Sequence, residues 1–273
     1  MEESKLRELK KTAVKIRKGI LEGVHAAKSG HPGGSLSIAD VMTYLYFAEM
    51  RIDPTRPAWE ERDRFVLSKG HVSPCYYGVL AERGFFPREE LKTFRQLHSR
   101  LQGHPDAKKL PGVDASTGSL GQGVSIANGM ALGAKLLGKD TKVFVLCGDG
   151  ELQEGQIWEA FMSAAHYHLD NLTVLIDWNG LQIDGSNDEV MSLGDLPAKL
   201  RAFRFDLHEV ADGNDIQQVI AAYDAPTVPG KPKCILARTV KGKGVSFMEN
   251  QAGWHGKAPN AEQCAQALKE LEG

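Results

Sequence analysis

The stretch KVFVLCGDGELQEGQIWEAFMSAAHYHLDNLTVLIDWNGLQIDG, Lys142 to Gly185, decides the fold. It opens on a short apolar run, Lys142 to Cys147, of the kind buried on both faces of a parallel sheet. Gly148 and Gly150 flank Asp149 and permit a sharp turn at low steric cost. Ile157, Phe161, Ala164, Ala165 and Leu169 then recur at helical spacing, which predicts a helix from about Glu154 to His168. Leu172 to Asp177 (LTVLID) is a second buried-strand pattern. A parallel crossover through a helix brings both strand ends to one edge of the sheet. Ligands of open α/β sheets bind at that edge. Asp149 and Asn179 are therefore expected side by side, at the carboxyl ends of neighbouring strands.

Two such oxygen donors suit a divalent cation. The Asp149 carboxylate, the Asn179 side-chain carbonyl and a nearby backbone carbonyl such as that of Leu181 make an all-oxygen set. That set fits Mg²⁺ and could accept Ca²⁺ or Mn²⁺, with phosphate oxygens and water completing the shell. A helix N-terminus alone stabilises an anion by only about 0.3–1 kcal/mol. A unit-charge pair at about 4 Å gains ~4 kcal/mol at an effective dielectric of about 20, and a divalent ion doubles the charge. A metal-held diphosphate is the expectation.

Outward from this unit, Leu6, Leu9, Ala13, Ile16, Ile20, Val24 and Ala27 mark an amphipathic helix over about residues 4–29. Gly30, Pro32, Gly33 and Gly34 should end it. Ser37 should cap the next helix, through Val41, Tyr44, Leu45 and Phe47. A short strand is expected at Phe65–Leu67, a loop over 105–117 and a small-residue helix from Gly121 to Leu137. A strand near Leu207–Val210, a helix near Ile216–Tyr223, a strand at Cys234–Thr239 and a helix near Ala261–Leu271 follow. Alternating strands and helices predict one α/β domain over 1–273, a mostly parallel sheet with helices on both faces.

Hydrophobic content of 42%, charged content of 25% and a net charge of −2 give no sign of nucleic-acid or anionic-membrane partners. No apolar run reaches membrane-span length. The four cysteines form no CxxC pair, so a reducing, cytoplasmic setting is expected, with Cys147 and Cys234 as small core residues. No GxGxxG follows a strand, which disfavours a Rossmann dehydrogenase; GKG at Gly242–Gly244 is too short to count.

The strand–GDG–helix–strand–Asn arrangement resembles the thiamine diphosphate motif. GHPGGSLS (Gly30–Ser37), LSKGH (Leu67–His71), GHPD (Gly103–Asp106), TGSLGQG (Thr117–Gly123), GDGELQEGQIWEA (Gly148–Ala160) and TVKGKGVSFMENQAGWHG (Thr239–Gly256) stand in family order. With them the chain resembles the N-terminal, pyrophosphate-binding part of transketolases. The resemblance implies that His31, His71, His104 and His255 line the channel where the donor's C1–C2 unit reacts, His71 and His255 lying near the diphosphate and reactive ring. It implies that backbone at Gly118 and Leu120 touches the aminopyrimidine and that Gly150 offers its N–H to the diphosphate. Asp149, Asn179 and Leu181 become metal ligands. Glu154 falls at the subunit junction, in an acidic network linking two cofactor sites; its plainer reading is a carboxylate favoured at a helix start. Ser119 departs from the family's usual proline. His25, His98, His166, His168 and His208 match no family motif and read as structural.

Gly121, Gly123, Gly129 and Gly133 cost up to about 1 kcal/mol each in a helix. Close packing within the domain or against another chain would repay them, and the resemblance implies a subunit interface there. Transketolases are much longer, and the remainder supplies a pyrimidine-activating glutamate and most phosphate-binding arginines. The expectation is therefore the N-terminal subunit of a split transketolase. It would be active only with a separate C-terminal subunit, as α2β2, on sugar phosphates; the alternative origin is a truncated chain. A specialised sugar or sulfosugar transketolase, an acyloin synthase and a non-catalytic thiamine diphosphate/metal-binding module are the competing readings.

Overall fold

The computed structural model describes residues 1–272. In chain order the helices are α1 (Glu3–Ala27), α2 (Pro32–Ser37), α3 (Ala39–Tyr44), α4 (Ser73–Arg83), α5 (Gln122–Leu136), α6 (Gly155–His166), α7 (Asn187–Met191), α8 (Leu196–Ala202), α9 (Ile216–Asp224) and α10 (Ala261–Glu270). The strands are β1 (Arg64–Leu67), β2 (Val143–Gly148), β3 (Leu172–Trp178), β4 (Asp206–Val210) and β5 (Lys233–Arg238). They form one sheet in the order β1-β2-β3-β5-β4, and every pairing is parallel.

Strand side chains alternate between two cores. Phe65, Phe144, Leu146, Leu175 and Ile235 join the core beneath α1, α3, α4 and α9. Val66, Val145, Cys147, Val174, Ile176 and Cys234 join the core beneath α5 and α6. A strand buried on both faces gains nothing from polar alternation, which explains the continuous apolar runs. Phe161 closes the second core, with its ring centroid 4.8 Å from that of Phe205. Removing a ring so buried would cost about 3–5 kcal/mol.

The crossover unit falls where expected, with α6 two residues shorter at its far end. Two local expectations fail. Pro32, Gly33 and Gly34 start a helix instead of merely ending one, because Pro32 sits in its first turn, where a missing N–H costs nothing. The two glycines are there for room: a Cβ at Gly33 would stand 2.9 Å from the Trp254 carbonyl oxygen. Ser37 is the last residue of α2, not a cap; its Oγ donates to Asp177 Oδ2 at 2.7 Å. At the GDG turn neither glycine has positive φ. Gly148 is small because the Lys69 stem passes there, 3.2 Å from where a Cβ would be.

The glycines of α5 divide. Gly121 takes φ 84 at the start of the helix, and a Cβ at Gly123 would stand 2.6 Å from Ser68 Cα. A Cβ at Gly129 or Gly133 meets nothing within 4 Å. Packing within the domain therefore accounts for the first two and not for the last two.

Candidate functional site

The carboxyl ends of β1, β2, β3 and β5 open into a cleft of ≈ 390 Å³. Every site residue named from the sequence lines it. His31, His71, His104 and His255 stand on one part of the wall, Gly118 and Leu120 on another, and Asp149, Gly150, Glu154, Asn179 and Leu181 on a third. The sheet edge thus brings together residues up to 224 positions apart (His31 to His255).

Asp149 ends the turn after β2 and is 2% exposed. Its Oδ1 accepts the Gly150 N–H at 2.8 Å and its Oδ2 the Gly180 N–H at 2.5 Å. Among the described residues no basic side chain bonds to it. Burial first, then the Asp177 charge, push its carboxyl up to about 6. A buried carboxylate held only by amide donors still favours a cation. Asn179 Oδ1 accepts the Leu181 N–H at 3.1 Å, and its Nδ2 donates to Asp177 Oδ2 at 2.8 Å. The Leu181 carbonyl accepts from Lys241 Nζ at 3.0 Å. Among the described residues no cluster of three His, Cys, Asp or Glu side chains could hold a metal. The donor set here has one carboxylate, one amide oxygen and one backbone carbonyl, so it fits a hard cation that brings phosphate oxygens with it.

Three imidazoles meet on the cleft wall. The ring centroids of His31, His71 and His255 are 5.0, 5.3 and 5.1 Å apart pairwise. The Lys241 ammonium donates to His255 Nδ1 at 3.1 Å, so that ring carries its proton on Nε2. Burial, then Lys241, lower His255 to about 3. Burial, then Arg95, lower His31 to about 4, and His31 Nδ1 is buried with no partner. Burial first, then Lys69, hold His71 well below the usual imidazole range. His104 is lowered by burial and Arg95, and packs where a Cβ on Gly118 would stand 3.2 Å from its ring. All four rings are neutral near pH 7 and can each donate and accept. Of the other histidines, His25 Nδ1 meets the Pro259 carbonyl at 2.9 Å and His168 Nδ1 the Gly230 carbonyl at 3.1 Å, both structural contacts.

Four charged residues of the site carry no signal in the motif spacing. Lys69 and Asp177 form a buried ion pair at the ends of β1 and β3. Burial works against the Asp177 carboxylate, but Lys69 and three further donors hold it below the usual range. Glu151, 3% exposed, accepts from Ser68 Oγ at 2.5 Å, Gly121 N–H at 2.9 Å and Gly148 N–H at 3.0 Å. It ties the three cleft segments LSKGH, TGSLGQG and GDG to one carboxylate. Lys241 is lowered to about 8 by burial and by Lys69. An aspartate closing the apolar run LTVLID was a readable signal, since buried carboxylates need partners. Glu154 stands exposed at the start of α6; its carbonyl accepts the Ile157 N–H at 3.2 Å, but its side chain does not cap the helix.

A family model described as "Transketolase, thiamine diphosphate binding domain" matches residues 9–272. The chain is 44% identical over 258 residues to an apulose-4-phosphate transketolase subunit of Phocaeicola vulgatus, covering 94% of this chain and 91% of that one. It is likewise 44% identical over 258 residues to the 6-deoxy-6-sulfo-D-fructose transketolase subunit SqwG of a Clostridium species, covering 94% of each. The crystal structure of a Pichia stipitis transketolase in complex with sedoheptulose-7-phosphate superposes with a TM-score of 0.92 at 35% identity. The match covers 97% of this chain and 40% of that one.

Proposed function

Because this chain belongs to the family of transketolase thiamine diphosphate-binding domains, we propose that it is the cofactor-holding subunit of a two-chain transketolase. The observation that carries the reading is the cleft itself, where an Asp149–Asn179–Leu181 oxygen set faces four neutral imidazoles at one sheet edge. The relatives matched over nine-tenths of their length are each named as one subunit of a transketolase, which supports a separate partner chain.

The reaction moves a two-carbon ketol unit from a ketose phosphate to an aldose phosphate. Thiamine diphosphate, when bound, supplies the nucleophilic ring carbon that carries that unit. Asp149, the Asn179 amide oxygen and the Leu181 carbonyl would hold Mg²⁺, and the Gly150 N–H, which Asp149 Oδ1 accepts in the free chain, would be offered to the diphosphate. Backbone at Gly118 and Leu120 contacts the aminopyrimidine. His255, with its proton on Nε2, donates to a sugar hydroxyl. His31, His71 and His104, neutral, hold the remaining hydroxyls or pass a proton between them. Glu154 lies at the junction with a second chain. The partner provides pyrimidine-binding and C-terminal domains in a cytoplasmic α2β2 assembly.

A second reading differs in substrate alone. The relatives named for apulose-4-phosphate and for 6-deoxy-6-sulfo-D-fructose support a specialised sugar, phosphorylated or sulfonated. Co-expression with a pyrimidine-domain chain, followed by a ketol-transfer assay over both kinds of sugar, tests the proposal. Turnover is expected from the mixture alone. Full activity of this chain by itself would overturn it, as would thiamine diphosphate binding without turnover beside any partner, which is the behaviour of a non-catalytic module.

A further inference from the structure

Asn214 does not line the cleft, yet it ties together two segments that do. It lies in the turn between β4 and α9. Gly213 seats that turn on the end of β5: its N–H donates to the Arg238 carbonyl at 2.6 Å, and a Cβ there would stand 2.8 Å from Thr239 Cγ2. Asp212 and Asp215 shape the turn on either side, accepting the Asn214 N–H at 2.9 Å and the Gln217 N–H at 3.0 Å. The Asn214 amide is thereby delivered between α2 and the chain that leaves β5.

Three bonds fix which way that amide faces. Its Nδ2 donates to the Ser37 carbonyl at 2.8 Å and to Asp40 Oδ2 at 3.1 Å, and its Oδ1 accepts the Val240 N–H at 2.9 Å. A carbonyl and a carboxylate only accept and a backbone N–H only donates, so a flipped amide would satisfy none of them. Asp40 is itself anchored by Arg17 of α1 in a buried ion pair. A second rung lies nearer the cleft, where the Gly242 N–H donates to the Gly33 carbonyl at 2.9 Å. The two rungs hold α2 and residues 240–242 side by side. His31 stands at the head of α2, and its carbonyl accepts Ser35 Oγ at 2.7 Å. His255 is held from the other segment, its Nδ1 meeting Lys241 Nζ at 3.1 Å. The 5.3 Å between the His31 and His255 ring centroids therefore depends on the register that Asn214 sets.

We propose that Asn214 is a positioning residue for ketol transfer: it keeps His31 and His255 at their working separation without touching cofactor or sugar. The inference rests on the reading of the cleft as a transketolase site.

The test compares Asn214→Ala, Asn214→Asp and Tyr44→Phe in the full chain. Asn214→Asp keeps the acceptor for Val240 and sets an acceptor against Ser37 and Asp40. Tyr44→Phe removes the bond from Tyr44 Oη to Asp224 at 3.1 Å, between two residues outside the cleft, and is the structural control. With the partner chain and thiamine diphosphate present, both Asn214 variants should lower kcat about 10–100-fold, the usual loss when a reacting geometry slips by about 1 Å. The control should keep its kcat. In the chain alone, the nuclear Overhauser effect between the His31 and His255 rings should weaken in both Asn214 variants and persist in the control. Slow exchange of the Val240 amide should survive in Asn214→Asp and be lost in Asn214→Ala. An unchanged kcat in a folded Asn214 variant would overturn the inference, as would a lowered kcat with the ring contact intact or an equal loss in Tyr44→Phe. Failure of both Asn214 variants to fold would overturn it too, leaving Asn214 a residue of the fold alone. A wild-type chain that gives no turnover beside its partner would instead overturn the transketolase reading, and the ring contact would still report on Asn214.

Discussion

Asn179 Nδ2 donates to Asp177 Oδ2 at 2.8 Å, and this bond sets which way the Asn179 amide faces. A carboxylate can only accept, so the amide nitrogen must be the atom turned toward it. Oδ1 is then left for the Leu181 N–H and for the cleft. Asp177 also takes Ser37 Oγ, Thr239 Oγ1 and Lys69 Nζ, so segments from α2 and from the ends of β1 and β5 converge on the residue that orients Asn179, the proposed metal ligand.

Asp177→Asn keeps the shape and removes the charge, leaving the Lys69 ammonium buried without its counter-ion. Breaking one side of a buried pair costs about 3–5 kcal/mol. Loss of the groups that orient a metal ligand weakens metal affinity by about 10–100-fold. Urea unfolding and Mn²⁺ titration of the same variant should show both. A fully stable variant with unchanged Mn²⁺ affinity would remove Asp177 from the site.

Asp149 sets a pH dependence with two opposite signs. Its carboxyl is raised from 3.8 to about 6, so the folded chain holds that proton more tightly than the unfolded chain does. Its contribution to stability is full below about pH 4 and is lost as pH rises through about 6. A metal must displace the same proton, so metal affinity should be level above about pH 7 and fall about tenfold per unit below about pH 6. Mn²⁺ titrations across that range decide it, and a flat affinity profile would contradict the assignment of Asp149 as a ligand.

Glu151 carries a prediction that separates cofactor positioning from stability. Glu151→Ala strands two buried N–H groups, at Gly121 and Gly148, each costing about 1–3 kcal/mol. In the proposed reading the Gly121 end belongs to the loop that contacts the aminopyrimidine and the Gly148 end to the turn that holds the diphosphate. Thiamine diphosphate affinity should therefore fall more than inorganic diphosphate affinity, measured side by side with the partner chain present. Equal losses would make Glu151 a general stabiliser.

How far the sequence could be read depended on what each residue's signal was made of. The β2–α6–β3 unit was legible because its strands and helix differ in period, and its oxygen donors follow from the ends of that pattern. Helix α4 was not: Ser73 to Ala81 is buried all round, so no amphipathic period survives. Lys69, Glu151, Asp177 and Lys241 were missed because their roles come from burial beside one another. They are spread over more than 170 positions of chain, and only the fold sets them side by side.

The imidazoles should not titrate where free histidines do. With His31 lowered to about 4 and His255 to about 3, both stay neutral through the range in which an exposed ring takes up its proton. Nitrogen-15 spectra of the histidine side chains should show these two rings unchanged between about pH 5 and 8, whereas a histidine in an unstructured reference peptide titrates near about 6.5. A reconstituted enzyme would then show no acid limb from these rings in that window. Titration of either ring near the reference value would mean that the cleft is wetter than its packing indicates.

Gly129 separates the demands of the chain from those of its assembly. A Cβ there meets nothing within 4 Å, so a larger side chain disturbs no contact of the domain. Replacing a helical glycine with leucine should then stabilise the isolated chain by up to about 1 kcal/mol through helix propensity. Nearby lie the exposed side chains of Ile126, Met162 and Tyr167, and a groove between α5 and α6 lined by Ser125, Gln156 and Ser163. If a second chain packs on this face, the leucine occupies the space its side chains need, and overpacking there costs about 1–3 kcal/mol. Gly129→Leu should therefore raise the unfolding midpoint of the isolated chain and weaken its association with copies of itself or with its partner, read by light scattering over a dilution series. A variant that is more stable and assembles normally would leave the bare α5 surface without an interface role, because nothing within the domain needs the glycine.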